Sequence, residues 1–516
     1  MKTYNDYMNE ITSDMLFDGL LGYGLFSEKL PLIFTSEKFM EFCKNHPEWK
    51  FNKKYHKWIN VEIIRNTNVP RRLGIPNPMA YYNLCKFLKD NWENIKRHFS
   101  KKLEHCDYIF SRTHLKKMKD SKILFKMNYQ SWRLEGNPEE DLRIGAKYIV
   151  KADISSCFPS IYTHAIPWAI VGKEPAKNKA HDKKGWTNQF DIYVRYLKNN
   201  ETHGLLIGPH ASNLISEIIL TAVDECLKEW KYVRYIDDYK CYVSTHEEAE
   251  KFITSLGKAL GTYGLSINHK KTKIEKLPIG EIEAWINKMK RARLSWFSCI
   301  GNGLKNKEKG LIGYNEVKQY LTYAVENGIE DAAVINYAVK VLRNNFNMSN
   351  NAKKYLYDSM LYLAEIYPYL LKIMDEYVFG LQTETEKKRN LSMHIFEDAI
   401  RTDKFEEAYY ALLFAIKYDF QLEMKTQIIE WILASGDCIL MLISWLYAKK
   451  YDVKELRNSL KVKAKELCEK DFDSYWLFVY ECLSENDFNN QYVSDWKKLK
   501  RNHISFIKDE WKLYRE

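Results

Sequence analysis

The chain holds 516 residues, 46% hydrophobic and 28% charged, with only 21 Gly and 12 Pro. That make-up suits globular domains with sizeable cores and excludes a collagenous, linker-dominated or largely disordered polymer. Basic residues outnumber acidic ones 79 to 68, a formal charge of +11, and 36 Tyr and 14 Trp accompany them, a balance that favours an anionic partner with flat rings, namely nucleic acid. At roughly 150 residues per domain, two or three domains are expected. The ten Cys include no Cys-x-x-Cys pair, so zinc-knuckle spacing is excluded and the thiols read as reduced core residues of a cytoplasm. The first residues lack the apolar core of a signal peptide, and the longest apolar run, Cys438 to Ala448, is far short of a bilayer span. It reads as a buried helix, and a soluble intracellular protein with no membrane partner is expected.

Residues 1–145 mix short helical patterns with irregular basic stretches such as Arg65 to Pro78. Residues 146–280 alternate strand-like and helix-like segments. Tyr148 to Asp153 is β-rich, and Asn213 to Trp230 carries Leu214, Ile218, Ala222 and Leu227 at helical spacing. Val233 to Val243 is aromatic and β-branched around an Asp-Asp turn, and residues 246–263 place Ala249, Phe252, Ile253, Leu256 and Leu260 on one helical face. Residues 281–310 form a basic connector, and the stretch 270–309 holds eleven Lys and Arg against four Glu, +7 of the whole charge. There Trp285, Trp296 and Phe297 interleave with Lys288, Lys290, Arg291 and Arg293, ahead of Lys305, Lys307 and Lys309, a pattern suited to following a phosphate backbone. From 311 to 516 strand signals vanish. Helix-length apolar stripes at 334–342, 352–366, 393–400, 405–416, 426–434, 439–448 and 475–483 are separated by short polar breaks. They read as an all-α domain of stacked, HEAT-like helical hairpins or as an irregular bundle.

The sharpest local feature is Arg234-Tyr-Ile-Asp-Asp-Tyr239, whose apolar flanks predict a β-hairpin with two adjacent carboxylates at its turn. Upstream, Lys151-Ala-Asp-Ile-Ser-Ser-Cys-Phe-Pro-Ser160 ends another strand at Asp153, where the same sheet would bring it beside Asp237. Converging carboxylates repel one another and are tolerated when divalent cations neutralise them. Oxygen ligation completed by phosphate oxygens is what Mg²⁺ prefers, and two such ions serve an in-line displacement with pyrophosphate as leaving group. The pattern of two or three converging carboxylates, Asp153, Asp237 and Asp238, points to nucleotidyl transfer.

Residues 65–278 resemble the fingers and palm of a reverse transcriptase. Arg71 to Pro78 with Tyr81 and Leu84 resembles its first block, Asp153 to His164 motif A, and His203 to Asn213 motif B. Tyr235-Ile-Asp-Asp238 resembles motif C, and Leu265 to Thr272 motif D. The wording of Ile161 to His164, of Ile207 to Asn213 and of Asp238 to Val243 is similar to the bacterial abortive-infection and defence-associated reverse transcriptases. The resemblance implies an α+β fingers and palm followed by an all-α carboxy-terminal domain, and a bacterial cytoplasmic enzyme of anti-phage defence using two Mg²⁺ ions, or Mn²⁺. Its substrates would be dNTPs and its product single-stranded DNA, made by protein-primed, untemplated synthesis with the DNA joined to a Tyr, or under a noncoding RNA. A homo-oligomer, trimer or hexamer, is also implied.

By the same resemblance Asp153 and Asp237 are the metal ligands with Asp238 a weaker or indirect contributor, Phe158 is the gate that meets a ribose 2′-hydroxyl, Gly208 lets backbone approach the nucleotide, and Ser212 with Asn213 caps the supporting helix. Lys271, or its neighbours Lys270 and Lys273, protonates leaving pyrophosphate or simply contacts phosphate. Arg71, Arg72, Arg133 and Arg143 are candidates for gripping the triphosphate, and Arg72 is taken first. Leu206-Ile-Gly208 stands where retroelement polymerases carry Pro-Gln-Gly, which removes a polar contact to the incoming nucleotide. No RNase H block follows residue 310. A conventional RNA-templated retroelement enzyme and a catalytically silent nucleic-acid-binding scaffold are the rival readings.

Overall fold

The computed structural model describes residues 4–67, 69–103, 110–111, 124, 138–279, 285, 289, 294, 310–488 and 494–511. Arg133 lies outside the described residues, as do the connector residues Lys288, Lys290, Arg291, Arg293, Trp296, Phe297, Lys305, Lys307 and Lys309. Trp285 is described, and it packs edge-on against Tyr337 with ring centroids 5.5 Å apart. It therefore serves as a half-buried packing group and not as an open stacking face.

The amino-terminal part sets helices α1 (Ser13–Tyr23) and α2 (Glu37–Asn45) beside an antiparallel hairpin of β1 (Trp58–Ile63) and β2 (Arg71–Pro76). Six of the fourteen residues read as irregular, Arg71 to Pro76, are thus strand, because Leu73 and Ile75 bury on one face against Val61 and Ile59. The chain then turns into α3 (Pro78–Asp90) and α4 (Trp92–Leu103). Asn77 caps α3 by accepting from the Met79 and Ala80 amides, and Pro78 occupies the first turn, where a missing N–H costs nothing.

A five-stranded sheet follows, in spatial order β3-β5-β6-β4-β7, from β3 (Phe110–Ser111), β4 (Tyr148–Asp153), β5 (Tyr232–Tyr235), β6 (Asp238–Val243) and β7 (Lys273–Lys276). Only the β3–β5 pair is parallel. Side chains alternate strictly along the central strands. Val150, Ala152, Tyr239, Cys241 and Val243 enter the main core, which is built with helices α5 (His210–Glu225) and α6 (His246–Thr262). Helix α5 is buried on nearly every side, from His210 to Asp224, and forms the spine of this module. On the opposite face Ile149, Val233 and Tyr242 make a small second core with Leu142.

The carboxy-terminal region contains helices α7 (Tyr314–Asn327), α8 (Ala333–Asn345), α9 (Asn350–Ile366), α10 (Thr385–Thr402), α11 (Phe405–Tyr418), α12 (Thr426–Ala434), α13 (Cys438–Lys450), α14 (Lys454–Lys470), α15 (Phe472–Cys482) and α16 (Ser494–Arg501). One departure from the all-helical expectation stands at its start. Strands β8 (Gly310–Ile312) and β9 (Phe346–Met348) pair in parallel, a contact made across more than thirty residues that leaves no local signature. The region folds back on the hairpin and the amino terminus: Asp473 accepts from Asn77 and pairs with His56, Asn66 donates to Asp331, and Phe34 bridges Ile507.

Candidate active site

The carboxylates meet through sheet register. Asp153 ends β4 directly opposite Asp238, the first residue of β6. Period-two alternation then places both on the face that also carries Lys151 and Lys240, Asp153 buried and Asp238 exposed. Asp237 sits in the two-residue turn between β5 and β6, and its carbonyl accepts from the Ile154 amide at 3.1 Å. Ile236, beside it, has φ of 57°, a left-handed conformation that a β-branched side chain adopts only when its surroundings impose it.

Arg234 does the imposing. Its guanidinium is wholly buried, donating to Glu217 at 2.9 and 3.0 Å and to Asp224 at 2.6 to 3.1 Å, both on α5. Another N–H reaches the Ile236 carbonyl at 2.9 Å. Tyr232 adds its hydroxyl to Asp224 at 2.7 Å. The strained turn is therefore clamped to the central helix by one charge-assisted fork. Sequence reading missed this residue. The available signal was Glu217 and Asp224, seven positions apart on a helix whose other buried side chains are mostly apolar.

Motif D arrives by pairing with motif A. Ile267 bridges Ile154, the Ser155 amide donates to Ser266, and the Asn268 amide donates to the Asp153 carbonyl at 2.7 Å. That turn delivers Lys271, whose Nζ lies 2.5 Å from Asp153 Oδ2. Lys271 is held above its ordinary pKa, chiefly by that hydrogen bond and then by the charges of Asp153, Asp238 and Asp237. Lys273 is in β7 opposite Lys151, and Lys270 is exposed.

Burial first, and then the Asp153 charge, raise Asp237 above the usual carboxylate range against the pull of Lys271 and Arg71. Asp238 is pushed up to about 6 by burial of the site and by the charges of Asp237 and Asp153, although its own side chain reaches solvent. The set is short of positive charge and made of hard oxygen donors, so it suits Mg²⁺ or Mn²⁺ in chemistry. Its present geometry is not a finished cage. Among the described residues no three acidic, His or Cys side chains converge closely enough to hold a metal ion, and the Lys271 ammonium occupies one Asp153 oxygen.

The remaining candidates divide. Phe158 lies in a short helical turn, Cys157–Ser160, half-buried, with its carbonyl accepting from the Leu205 amide at 2.8 Å, so motif A is joined there to motif B. Gly208 has φ of 132°, but the backbone it approaches is the protein's own: a Cβ there would stand 3.3 Å from the Gly74 carbonyl. The glycine therefore permits close packing of the motif B loop on β2, a requirement that stands beside the expected approach to a nucleotide. Ser212 is not a cap. Helix α5 begins at His210 after Pro209, and Ser212 is buried within its first turn, with Asn213 following. Arg72 points away as well, 80% exposed and paired with Glu62 across the hairpin at 2.9 Å. Its neighbour Arg71, on the other face of β2, is the arginine whose charge reaches Asp237, after that of Lys271. Arg143 belongs to the far end of the sheet, near Glu139 and over the Tyr242 ring. There Glu139 accepts from Tyr235, Tyr242 and Lys240.

A hairpin presenting adjacent carboxylates, an in-register carboxylate on the neighbouring strand and a lysine delivered to it form an arrangement chemically suited to metal-assisted nucleotidyl transfer. Residues 94–310 match the family described as reverse transcriptase (RNA-dependent DNA polymerase), which supports RNA-directed DNA polymerase activity in general terms. No curated protein matches the chain. Solved structures similar to it include telomerase from Candida albicans with a TWJ fragment of telomeric RNA, at 11% identity and TM-score 0.31, covering 88% of this chain and 71% of that one. Apo telomerase from Candida tropicalis, at 11% identity and TM-score 0.29, covers 82% and 73%. No described helix is long and apolar enough to cross a membrane.

Proposed function

We propose that the chain is a divalent-metal-dependent DNA polymerase of the reverse-transcriptase class. The observation that carries this reading is the in-register pair Asp153 and Asp238 beside Asp237, with Lys271 on the same carboxylate. Asp153 and Asp237, assisted by Asp238, would hold two Mg²⁺ ions, or Mn²⁺. Bound there, the ions would activate the attacking hydroxyl and neutralise charge on the triphosphate. Lys271 releases Asp153 as the site fills and supplies a proton to the departing pyrophosphate. Phe158 limits the sugar to deoxyribose, and Arg71 steadies phosphate charge from the hairpin.

The finer reading is a bacterial cytoplasmic enzyme of anti-phage defence. It would make single-stranded DNA either untemplated from a Tyr primer or under a noncoding RNA, as an oligomer with the carboxy-terminal helices as a HEAT-like scaffold. It is supported by the wording of Ile161 to His164 and Ile207 to Asn213 and by the predominantly helical region after residue 313. Incubation with Mg²⁺ and labelled dNTPs, with and without added primer and RNA template, tests it. Label fixed to the polypeptide without added primer supports the finer reading. Extension of a supplied primer on RNA alone replaces it with a retroelement-type enzyme, and no incorporation under any condition leaves a nucleic-acid-binding scaffold.

A further inference from the structure

We propose that a groove between α7 and α9 is a stacking platform for single-stranded nucleic acid. The groove, 630 Å³ in volume, is lined by Tyr314, Asn351, Lys354, Tyr355, Asp358 and Tyr362. Tyr362 is 63% exposed and Tyr314 40%, a large aromatic surface to leave in water. Tyr355 and Tyr362 are two helical turns apart on one face, about 10.5 Å along the axis. Tyr314 meets Tyr355 edge-on, with centroids 5.0 Å apart and planes at 71°, a contact that fixes this ring pair and leaves the more exposed Tyr362 as the ring offered to a base.

Charge selects the occupant. Lys354 is exposed at the rim, and Lys318 lies 5.7 Å from the centre of the Tyr314 ring. The one acidic side chain in the lining, Asp358, is offset by Lys387 at 2.7 Å. Rings at intervals with cations along the edge grip a strand whose bases are unpaired, since every base offers a π-face and every phosphate a charge. In sequence the groove begins at Tyr314, directly after the most basic stretch of the chain, 270–309. This surface stands apart from the palm carboxylates, so the inference does not depend on catalysis.

The test uses the full chain in EDTA, with fluorescence anisotropy of labelled oligothymidylate and oligouridylate and photocrosslinking of 5-iodouracil-substituted oligomers. Crosslinks are expected in peptides carrying Tyr355 and Tyr362. Tyr314→Ala and Tyr362→Ala should each weaken binding about tenfold, while Tyr362→Phe, which keeps the ring, binds as the parent does. Lys354→Ala should lower the slope of log Kd against log salt by about 0.7. Asp237→Asn should keep these crosslinks while losing incorporation, which separates failure of the groove from failure of the palm. Unchanged affinity in both alanine variants at unchanged melting temperature overturns the proposal. A change in oligomeric state without a change in Kd does so too, and would make the face a contact between copies.

Discussion

At the residue scale, the palm carboxylates stand in a field that resists their own ionisation. Asp237 and Asp238 both lie above the ordinary range, and Lys271 is the nearest counter-ion. Asp153→Asn and Asp237→Asn should therefore abolish dNTP incorporation while circular dichroism and melting stay close to the parent. Lys271 competes with metal for one Asp153 oxygen, which gives a two-sided expectation for Lys271→Gln. Thermal-shift titration should show Mn²⁺ acting at lower concentration, while single-turnover incorporation slows. If the metal dependence does not move, the ion pair is incidental. Phe158→Ala should relax discrimination against NTPs, read as the ratio of ribonucleotide to deoxyribonucleotide incorporation. Asp153, Asp237 and Asp238 were legible because strand patterns around them fix their order and face. Arg234 was not, since an arginine in a short strand ordinarily marks solvent.

Among elements, the β5–β6 turn owes its shape to a buried ionic fork, and such forks are costly to break from one side. Arg234→Met leaves Glu217 and Asp224 buried without their cation, a loss of about 3–5 kcal/mol to be measured by urea denaturation. The amino terminus of α13 gives a pH-dependent case. Asp437 caps it by accepting from the Leu440 amide at 2.7 Å. Burial, with Glu406 and Glu62 nearby, pushes its carboxyl up to about 6 from the usual 3.8. The folded state thus prefers the protonated acid. The resulting stability is complete below 3.8 and is lost as pH rises through about 6. Asp437→Asn keeps the acceptor and removes the titration, so its melting temperature should gain on the parent across that interval and level off above it. Strand Tyr148–Asp153 and helix Thr426–Ala434 coincide with the sequence patterns to the residue. Helix α14 escaped because lysines and glutamates dilute its stripe of Leu456, Leu460, Ala464 and Leu467. Cap residues were misplaced because Ser212 satisfies capping preference in sequence while Pro209 and His210 set the real start of α5.

On the scale of the whole molecule, one buried cluster runs from Met8 to Ile507. The last part of the described chain enters the first: the Thr35 amide donates to the Phe506 carbonyl at 2.9 Å, and the Lys508 amide to the Ile33 carbonyl at 2.9 Å. The Phe506 ring is fully buried among Phe26, Phe39, Trp476 and Tyr480. Phe506→Ala should cost about 3–5 kcal/mol and lower the melting of amino- and carboxy-terminal helices together, seen by hydrogen exchange resolved along the chain. A local effect confined to residues 472–511 would show that the two ends are energetically separate. Such long-range closure is invisible in local periodicity, since nothing around Phe34 or Ile507 names its partner. It also orders events in the cell. A ribosome that has already made β4 and β6 still withholds the aromatic plug around Phe506, so the amino-terminal helices remain incompletely covered until that segment has emerged. Closure of the core then waits for that segment, and a product truncated before it would be left with an exposed apolar seam and directed to proteolysis.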